Sequence, residues 1–405
     1  MIDLNNFYQV KDIISDYENK NQDSKYNEFI VKKFDNLYLI KYKKSFINKD
    51  ASNELYKFRS IVTDGKELYS VSPFKSIPLN EFDRYYEQFP NHPLIKIEFI
   101  EGTMINLFFN KLTNDWEIAT KGNIGAKCKY NSNKTFRTMF LETMNEMGIE
   151  FNDFKKEFSY SFVLQHKDNK NVLPINRNSL FIVAVYKLNE MKCWNIYFDY
   201  LLHEKDSEMW KIFFNNENIN IFEPNSWVLG GESWEIEKNL FNNNVINYLT
   251  MGYVYISPQH NRIKIRNPNY EQIKRLKGND PKMQYQYYYL RQNNLVKEFL
   301  KYFPEHNDTL LQHRKTLHFF TNQLYKHYVD CFIKKISSLK EYPYEFKPHM
   351  YELHRMYLNN LIGNNKSINY NIVKKYVNEL PPAKLMYHVN YNLKQINNNQ
   401  QKSRI

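Results

Sequence analysis

Ile95-Lys96-Ile97-Glu98-Phe99-Ile100-Glu101-Gly102-Thr103-Met104-Ile105 is the stretch on which the reading of this chain turns. Up to Phe99 it alternates like a strand with one buried face, so Ile95, Ile97 and Phe99 share that face and Lys96 points to the other. Gly102 marks a tight turn, and a second strand runs on through residues 106–109. The apolar face reads as core, or as the floor of a filled pocket.

Strands recur on both sides of this centre. Residues 38–42 alternate, and residues 58–63 and 68–71 flank the turn Asp64-Gly65 as a hairpin. Pro73 ends that hairpin. Further strands are expected at 115–121, 160–164, 179–186, 253–256 and 262–266. The apolar spacing predicts a helix over 136–147 with Gly148 as its C-terminal stop. A short amphipathic helix is expected near the start, from Val10, Ile13, Ile14 and Tyr17. From about 285 to 390 the pattern is helical throughout, for example Leu311, Leu317, Phe320, Leu324 and Tyr328. The chain thus divides into a lead-in (1–34), an α+β domain with antiparallel sheets (35–280), an all-α domain (285–394) and an Asn/Gln/Lys-rich tail (395–405) that reads as disordered.

Composition sets limits on what the chain does. Its 405 residues favour two domains, and 42% hydrophobic content is ample for two cores despite a mean hydropathy of -0.69. A net charge of +12 fits an anionic partner, nucleic acid above all, and fits equally a Lys-rich solvated surface. Cys128, Cys193 and Cys331 lie far apart, which argues against a zinc site or a disulfide framework. No run is apolar enough for a membrane span and the first residues lack a signal-peptide pattern, so a cytoplasmic protein with no membrane partner is expected.

Seven short motifs, in order across residues 58–270, resemble those of the bacteriophage RNA ligase 1 family, within the ATP-dependent ligase and capping-enzyme superfamily. Phe58-Arg59-Ser60-Ile61-Val62 is similar to its upstream Arg-Gly strand, and residues 72–81 are similar to its Pro-to-Lys segment, with Lys75. Phe99-Ile100-Glu101-Gly102-Thr103 falls on its Lys-x-Asp-Gly-Ser nucleophile motif, and Thr120-Lys121-Gly122 on its Lys-Gly turn. Residues 160–164, with 169–172 behind them, fall on its Phe-Glu-Phe and Asn-Arg-Ile-Val pair. Met251-Gly252-Tyr253-Val254 falls on Glu-Gly-Tyr-Val. Ile263-Lys264-Ile265-Arg266 with Tyr270 falls on Phe-Lys-Ile-Lys and its downstream Tyr. The resemblance implies a nucleotidyltransferase (ATP-grasp-like ligase) domain.

The departures fall where that chemistry would occur. Phe99 stands in place of the nucleophilic lysine, and Val163 and Met251 in place of two glutamates. A ligase needs the amine to bond AMP and carboxylates to hold a divalent metal, and these residues supply neither. Arg266 keeps a charge but cannot act as an acid. Lys96, Lys121 and Lys75 are the candidates for a relocated nucleophile. What persists is cationic: the resemblance places Arg59, Lys75, Lys121, Lys264 and Arg266 on phosphate or RNA, and Phe99, Glu101, Gly102 and Tyr270 around the nucleotide pocket.

Residues 299–305 and 350–358 resemble C-terminal segments of ligase-like proteins of large DNA viruses, which adds a viral factory or virion as a location. His306, His313, His327, His349 and His354 read as packing or capping residues ahead of metal or acid–base groups. The helical domain suits structured RNA or a protein partner. The leading reading is therefore an RNA ligase-fold pseudoenzyme that binds RNA or a nucleotide phosphate in a basic cleft. The alternatives are an active ATP-dependent RNA ligase, with ATP and Mg²⁺ as cofactors only in that case, and a structural or adaptor protein of a viral assembly.

Overall fold

The computed structural model describes residues 1–6, 8–19, 25–47, 54–130, 132–203, 205–242, 246–278, 282–361 and 367–391, and divides the chain into two compact units, Met1–Gln272 and Ile273–Ile405. The expected tail, 395–405, lies outside the described residues. The first unit holds β1 (Ile2–Asp3), α1 (Val10–Glu18), β2 (Phe29–Phe34), β3 (Leu37–Tyr42), β4 (Ile61–Thr63), β5 (Leu68–Val71), α2 (Leu79–Gln88), β6 (Pro93–Glu98), β7 (Thr103–Asn110), β8 (Asp115–Thr120), β9 (Asn123–Ile124) and α3 (Phe136–Met147). It continues through β10 (Phe158–Gln165), β11 (Ser179–Asn189), β12 (Lys192–Asn195), α4 (Ile196–Leu202), α5 (Ser207–Phe213), β13 (Ser226–Gly230), α6 (Trp234–Glu237), β14 (Gly252–Ile256) and β15 (Arg262–Arg266). The division between the units falls inside α7 (Pro268–Lys277), whereas the sequence places it near 280.

Three sheets, antiparallel at every strand pair, build this α+β unit. The orders are β1-β12-β11-β10-β7-β8-β9, β13-β6-β14-β15 and β2-β3-β4-β5. One face of the largest sheet (Ile105, Leu107, Tyr160, Phe162, Leu164, Ile182) packs on α3 and on Ile95, Ile97 and Val254 of the second sheet. Its other face meets the third sheet through Ala184 and Tyr186 on one side and Phe108 and Ala119 on the other. The side chains alternate between these two cores because strand period is two. α1 lays Val10, Ile13 and Ile14 into the same core as β2 to β5, while Tyr17 is exposed. The residues before 35 thus supply β1, α1 and β2 to this unit.

The opening stretch is not a hairpin. β6 pairs with β13 and β14, whereas β7 pairs with β10 and β8 in the largest sheet. The chain therefore crosses from one sheet to another between Phe99 and Gly102. Two glycines stand where backbones approach closely, Gly102 at this crossing and Gly252 at the start of β14. A Cβ on Gly102 would lie 2.5 Å from the Leu164 carbonyl oxygen and 2.6 Å from Val163 Cγ1. A Cβ on Gly252, whose φ is +144°, would lie 2.2 Å from the Ile265 carbonyl oxygen. Neither backbone oxygen can retreat without breaking its sheet.

The second unit is helical among its described residues: α8 (Met283–Gln292), α9 (Val296–Tyr302), α10 (Asn307–Tyr328), α11 (Lys347–Met356), α12 (Tyr370–Glu379) and α13 (Pro382–Val389). On α10 the buried apolar side chains are Leu310, Leu317, Phe320, Leu324 and Tyr328, with Thr321 also buried, so Leu310 takes the core position expected for Leu311, which is exposed. No helix among the described residues is long and apolar enough to cross a membrane.

His349 sits at the centre of this unit with no solvent exposure. Its Nδ1 shares a 2.8 Å hydrogen bond with the Tyr376 hydroxyl, its ring meets His388 at 4.4 Å, and Phe320 packs edge-on. Burial first, then the nearby His388 and Lys384, pushes its pKa down to about 3. The pKa of His388 is lowered by burial and Lys384, against the opposing Glu345. A histidine held neutral below its unfolded pKa contributes stability that is full above about pH 6.5 and is lost as pH falls toward the folded value. Urea unfolding of the full chain should thus show the helical transition weakening by about 2 kcal/mol between pH 6.5 and 5 from this group. His349→Gln should flatten that dependence.

Candidate functional site: cationic side chains around Phe99 and Lys121

Phe99 places an aromatic ring under two cations. Phe99, half-buried, is anchored by its N–H donating to the Gly252 carbonyl at 3.0 Å. Lys264 Nζ lies 4.2 Å from its ring centroid and the Arg266 guanidinium 5.9 Å. Both come from β15, two residues apart and hence on one face, which lies across from Gly252 and Val254. Arg266 also reaches Glu271 at 3.5 Å. Val163 and Met251 are buried and apolar.

Glu101 and Tyr270 are brought together, 2.6 Å apart, but inside the protein. Glu101 is 4% exposed and Tyr270 0%. The Glu101 carboxylate accepts from the N–H groups of Val172 at 3.0 Å and Leu173 at 3.2 Å as well as from the Tyr270 hydroxyl. Burial, followed by the adjacent carboxylate, pushes the Tyr270 pKa up. This acid is committed to tying the start of β7 to the loop behind β10 and to α7.

Arg59, Lys75 and Lys121 form a second group. Lys121 follows β8 and donates to the Tyr42 hydroxyl at 3.3 Å while lying 4.6 Å from that ring. Burial first, then the charges of Arg59, Lys41, Lys75 and Lys44, pushes its pKa down to about 8. Lys75 lies 4.4 Å from the Tyr56 ring centroid and donates to the Ser76 carbonyl. Arg59 donates to the Pro73 carbonyl at 3.1 Å, and Arg262 to the next carbonyl, Phe74, at 3.3 Å. Burial and then Arg59 lower the Arg262 pKa, so the two guanidiniums feel each other.

Sequence reasoning missed Arg262 and Lys41. Arg262, Lys264 and Arg266 alternate along one face of β15, so Arg262 joins the Phe99 group to the Arg59 group. The signal was its spacing two residues before Lys264. Lys41 is visible only in space, its Nζ 3.0 Å from where a Cβ on Gly122 would stand. Lys41, Arg59, Lys75, Lys121 and Arg262 are all half-buried, and among the described residues none of them forms an ion pair. Glu81 is the acid whose charge reaches Lys75. Such an arrangement is short of negative charge and suits a phosphate-bearing ligand.

The relocated-nucleophile candidates separate clearly. Lys96 faces away from Phe99 and is held by Glu237 at 2.8 Å, over the Tyr253 ring at 4.3 Å. Lys121 remains among the charges of Arg59, Lys41, Lys75 and Lys44. A divalent metal finds no ligands in Val163 or Met251, and Glu101 is already saturated by donors. Glu142, His166 and Asp168 lie close enough to share an ion, but Lys134 Nζ already sits 2.8 Å from Glu142 and 2.9 Å from Asp168.

No family model matches this sequence, and no curated protein matches it. Among solved structures the chain is similar to one described as an ATP-dependent DNA ligase from Aquifex aeolicus, at 12% identity and a TM-score of 0.37 over 86% of this chain and 80% of that one. It is also similar to two forms of an archaeal ATP-dependent RNA ligase, each at 10% identity. The first has a TM-score of 0.40 over 76% of this chain and 78% of that one. The second has 0.42 over 69% and 68%. No residue role passes from them to this chain.

If Glu101 is a structural tie, Tyr270→Phe removes one charge-assisted hydrogen bond from a buried carboxylate and should cost about 1.5–3 kcal/mol in urea unfolding. Unchanged stability would return Glu101 to the set of acids available for a ligand.

Proposed function

We propose that the chain is a ligase-fold nucleotidyltransferase relative that binds RNA or a nucleotide through phosphate in the cationic groove, without forming a lysyl-adenylate. The single observation that carries this reading is Phe99. Its ring, packed beneath Lys264 and Arg266, occupies the position that the sequence resemblance assigns to the nucleophile. A phenyl ring offers no electron pair for attack on an α-phosphate. The apolar Val163 and Met251, at the positions of the two metal-binding glutamates, agree with the same loss. The retained cations are what a binding function needs, since phosphate contacts require charge and position and no bond making.

Lys121 supports a second reading. With its pKa down to about 8, a sizeable fraction of its amine is unprotonated near neutral pH, as a nucleophile requires. The two readings part on one experiment. The protein is incubated with α-labelled ATP and Mg²⁺ or Mn²⁺ and then denatured. Binding alone leaves no label on the wild type; label mapped to Lys121 would establish the ligase reading.

Affinity for a single-stranded RNA, measured against salt, tests the groove itself. For the variant carrying Lys264→Ala and Arg266→Ala, binding should weaken and the log–log salt slope should flatten by roughly one to two units. An unchanged slope would remove these two cations from the RNA path.

A further inference from the structure

A separate cavity of about 350 Å³ opens beside the cationic groove, walled by the first residues of the chain, the 56–57 and 74–77 segments and the turn joining β14 to β15. The volume falls in the range of sites that hold small ligands. Its walls divide by chemistry. Tyr56, Phe74 and Ile77 provide apolar and aromatic surface, while Lys57, Lys75 and Arg262 bring positive charge.

The scaffold fixes these groups firmly. The Ile77 N–H donates to the Arg262 carbonyl at 2.8 Å, which holds β15 against the 73–77 segment. Arg262 in turn donates to the Phe74 carbonyl, and Lys75 is held over Tyr56. Burial lowers the pKa of Lys57, against the opposing charge of Glu54. Asp3, the acid of the wall, is engaged by the Asn5 N–H at 3.0 Å and by Lys192 at 3.9 Å.

His260 supplies a further observation. It sits at the turn with φ +61°, a left-handed conformation uncommon for a residue with a side chain, and its N–H donates to the Ser257 carbonyl at 2.8 Å. Its ring packs edge-on against Phe198 at 4.7 Å, and its buried Nδ1 has no hydrogen-bond partner among the described residues. Burial holds the ring neutral, so one nitrogen is a donor and the other an acceptor.

We propose that this cavity is a second binding site that takes a nucleoside phosphate, with Lys57, Lys75 and Arg262 on the phosphate, Tyr56 and Phe74 against base or ribose, and His260 in the wall beside them. It extends beyond the groove at Phe99 and Lys121, with which it shares Lys75 and Arg262. The nucleoside phosphate is either a free nucleotide or the 5′-phosphorylated end of an RNA.

The full chain is titrated calorimetrically with AMP, with inorganic phosphate, and with a short oligoribonucleotide carrying either a 5′-phosphate or a 5′-hydroxyl. Two variants from different elements, Lys57→Glu and His260→Gln, probe the cavity, and Lys121→Ala probes the groove; circular dichroism checks each fold. AMP or the 5′-phosphorylated RNA should bind, and Lys57→Glu should weaken it roughly tenfold, the effect of losing one charge-assisted contact. His260→Gln should weaken it less, and Lys121→Ala should remove at most the groove's own share, leaving a binding component that Lys57→Glu and His260→Gln still weaken. Binding of AMP alone identifies a free nucleotide, whereas binding that needs the 5′-phosphate on RNA identifies the RNA end. The proposal is overturned if neither ligand binds, or if inorganic phosphate binds as tightly as AMP. It is also overturned if affinity ignores Lys57→Glu and His260→Gln, and loss of affinity only in Lys121→Ala would assign all binding to the groove.

Discussion

The Glu101 carboxylate is the interaction on which the site region depends. The chain leaves one sheet at Glu98 and enters another at Thr103, and nothing in a strand's own hydrogen bonding fixes the angle of that crossing. Glu101 supplies the missing constraint by accepting from Val172, Leu173 and Tyr270 at once. A buried anion is tolerable only when donors surround it, so the loop behind β10 and the start of α7 are both obliged to come to it. Gly102 then lets β7 approach Leu164 without a side chain between them. The position of Phe99 is therefore set by the donors gathered on Glu101 as much as by the β6 strand that leads into it.

Steric and chemical requirements have separated in this chain. The positions that match by shape are retained: Gly102 and Gly252, where a Cβ would collide with backbone, and Tyr270, which has a carboxylate to satisfy. The positions to which the sequence resemblance assigns a lysine and two glutamates hold Phe99, Val163 and Met251. Burial lowers the Lys121 pKa first, and the neighbouring charges of Arg59, Lys41, Lys75 and Lys44 add to it.

Much of the fold was legible because its signals are local. α3 ends at Gly148, which adopts φ +68° where the helix needs a left-handed residue, as the Met-Gly boundary suggested. β14 and β15 follow their alternation. Elements defined by a distant partner were not legible. β2 lies within the stretch read as a lead-in (1–34), since Lys32 and Lys33 interrupt its alternation, yet it pairs along its whole length with β3. β13 exposes Trp227 and Val228, and pairing with β6 is what makes it a strand. The division of Ile95 to Asn110 between two sheets leaves no trace in residue spacing. Glu101 carried the same ambiguity: an acid beside a motif glycine looks alike whether it faces a ligand or three internal donors.

The depressed pKa of Lys121 carries an argument about mechanism. A lysine becomes a nucleophile when it loses its proton while its target is present. Here the causes of the shift are burial and a ring of like charges. A polyphosphate entering the groove neutralises that ring, so its arrival removes the repulsion and favours the protonated amine. The free protein therefore has the more nucleophilic lysine, and the occupied protein the more cationic one. A covalent enzyme needs the opposite order. Under the binding reading proposed above, the same crowding of like charges that adds to burial in lowering the pKa becomes binding energy for the anion.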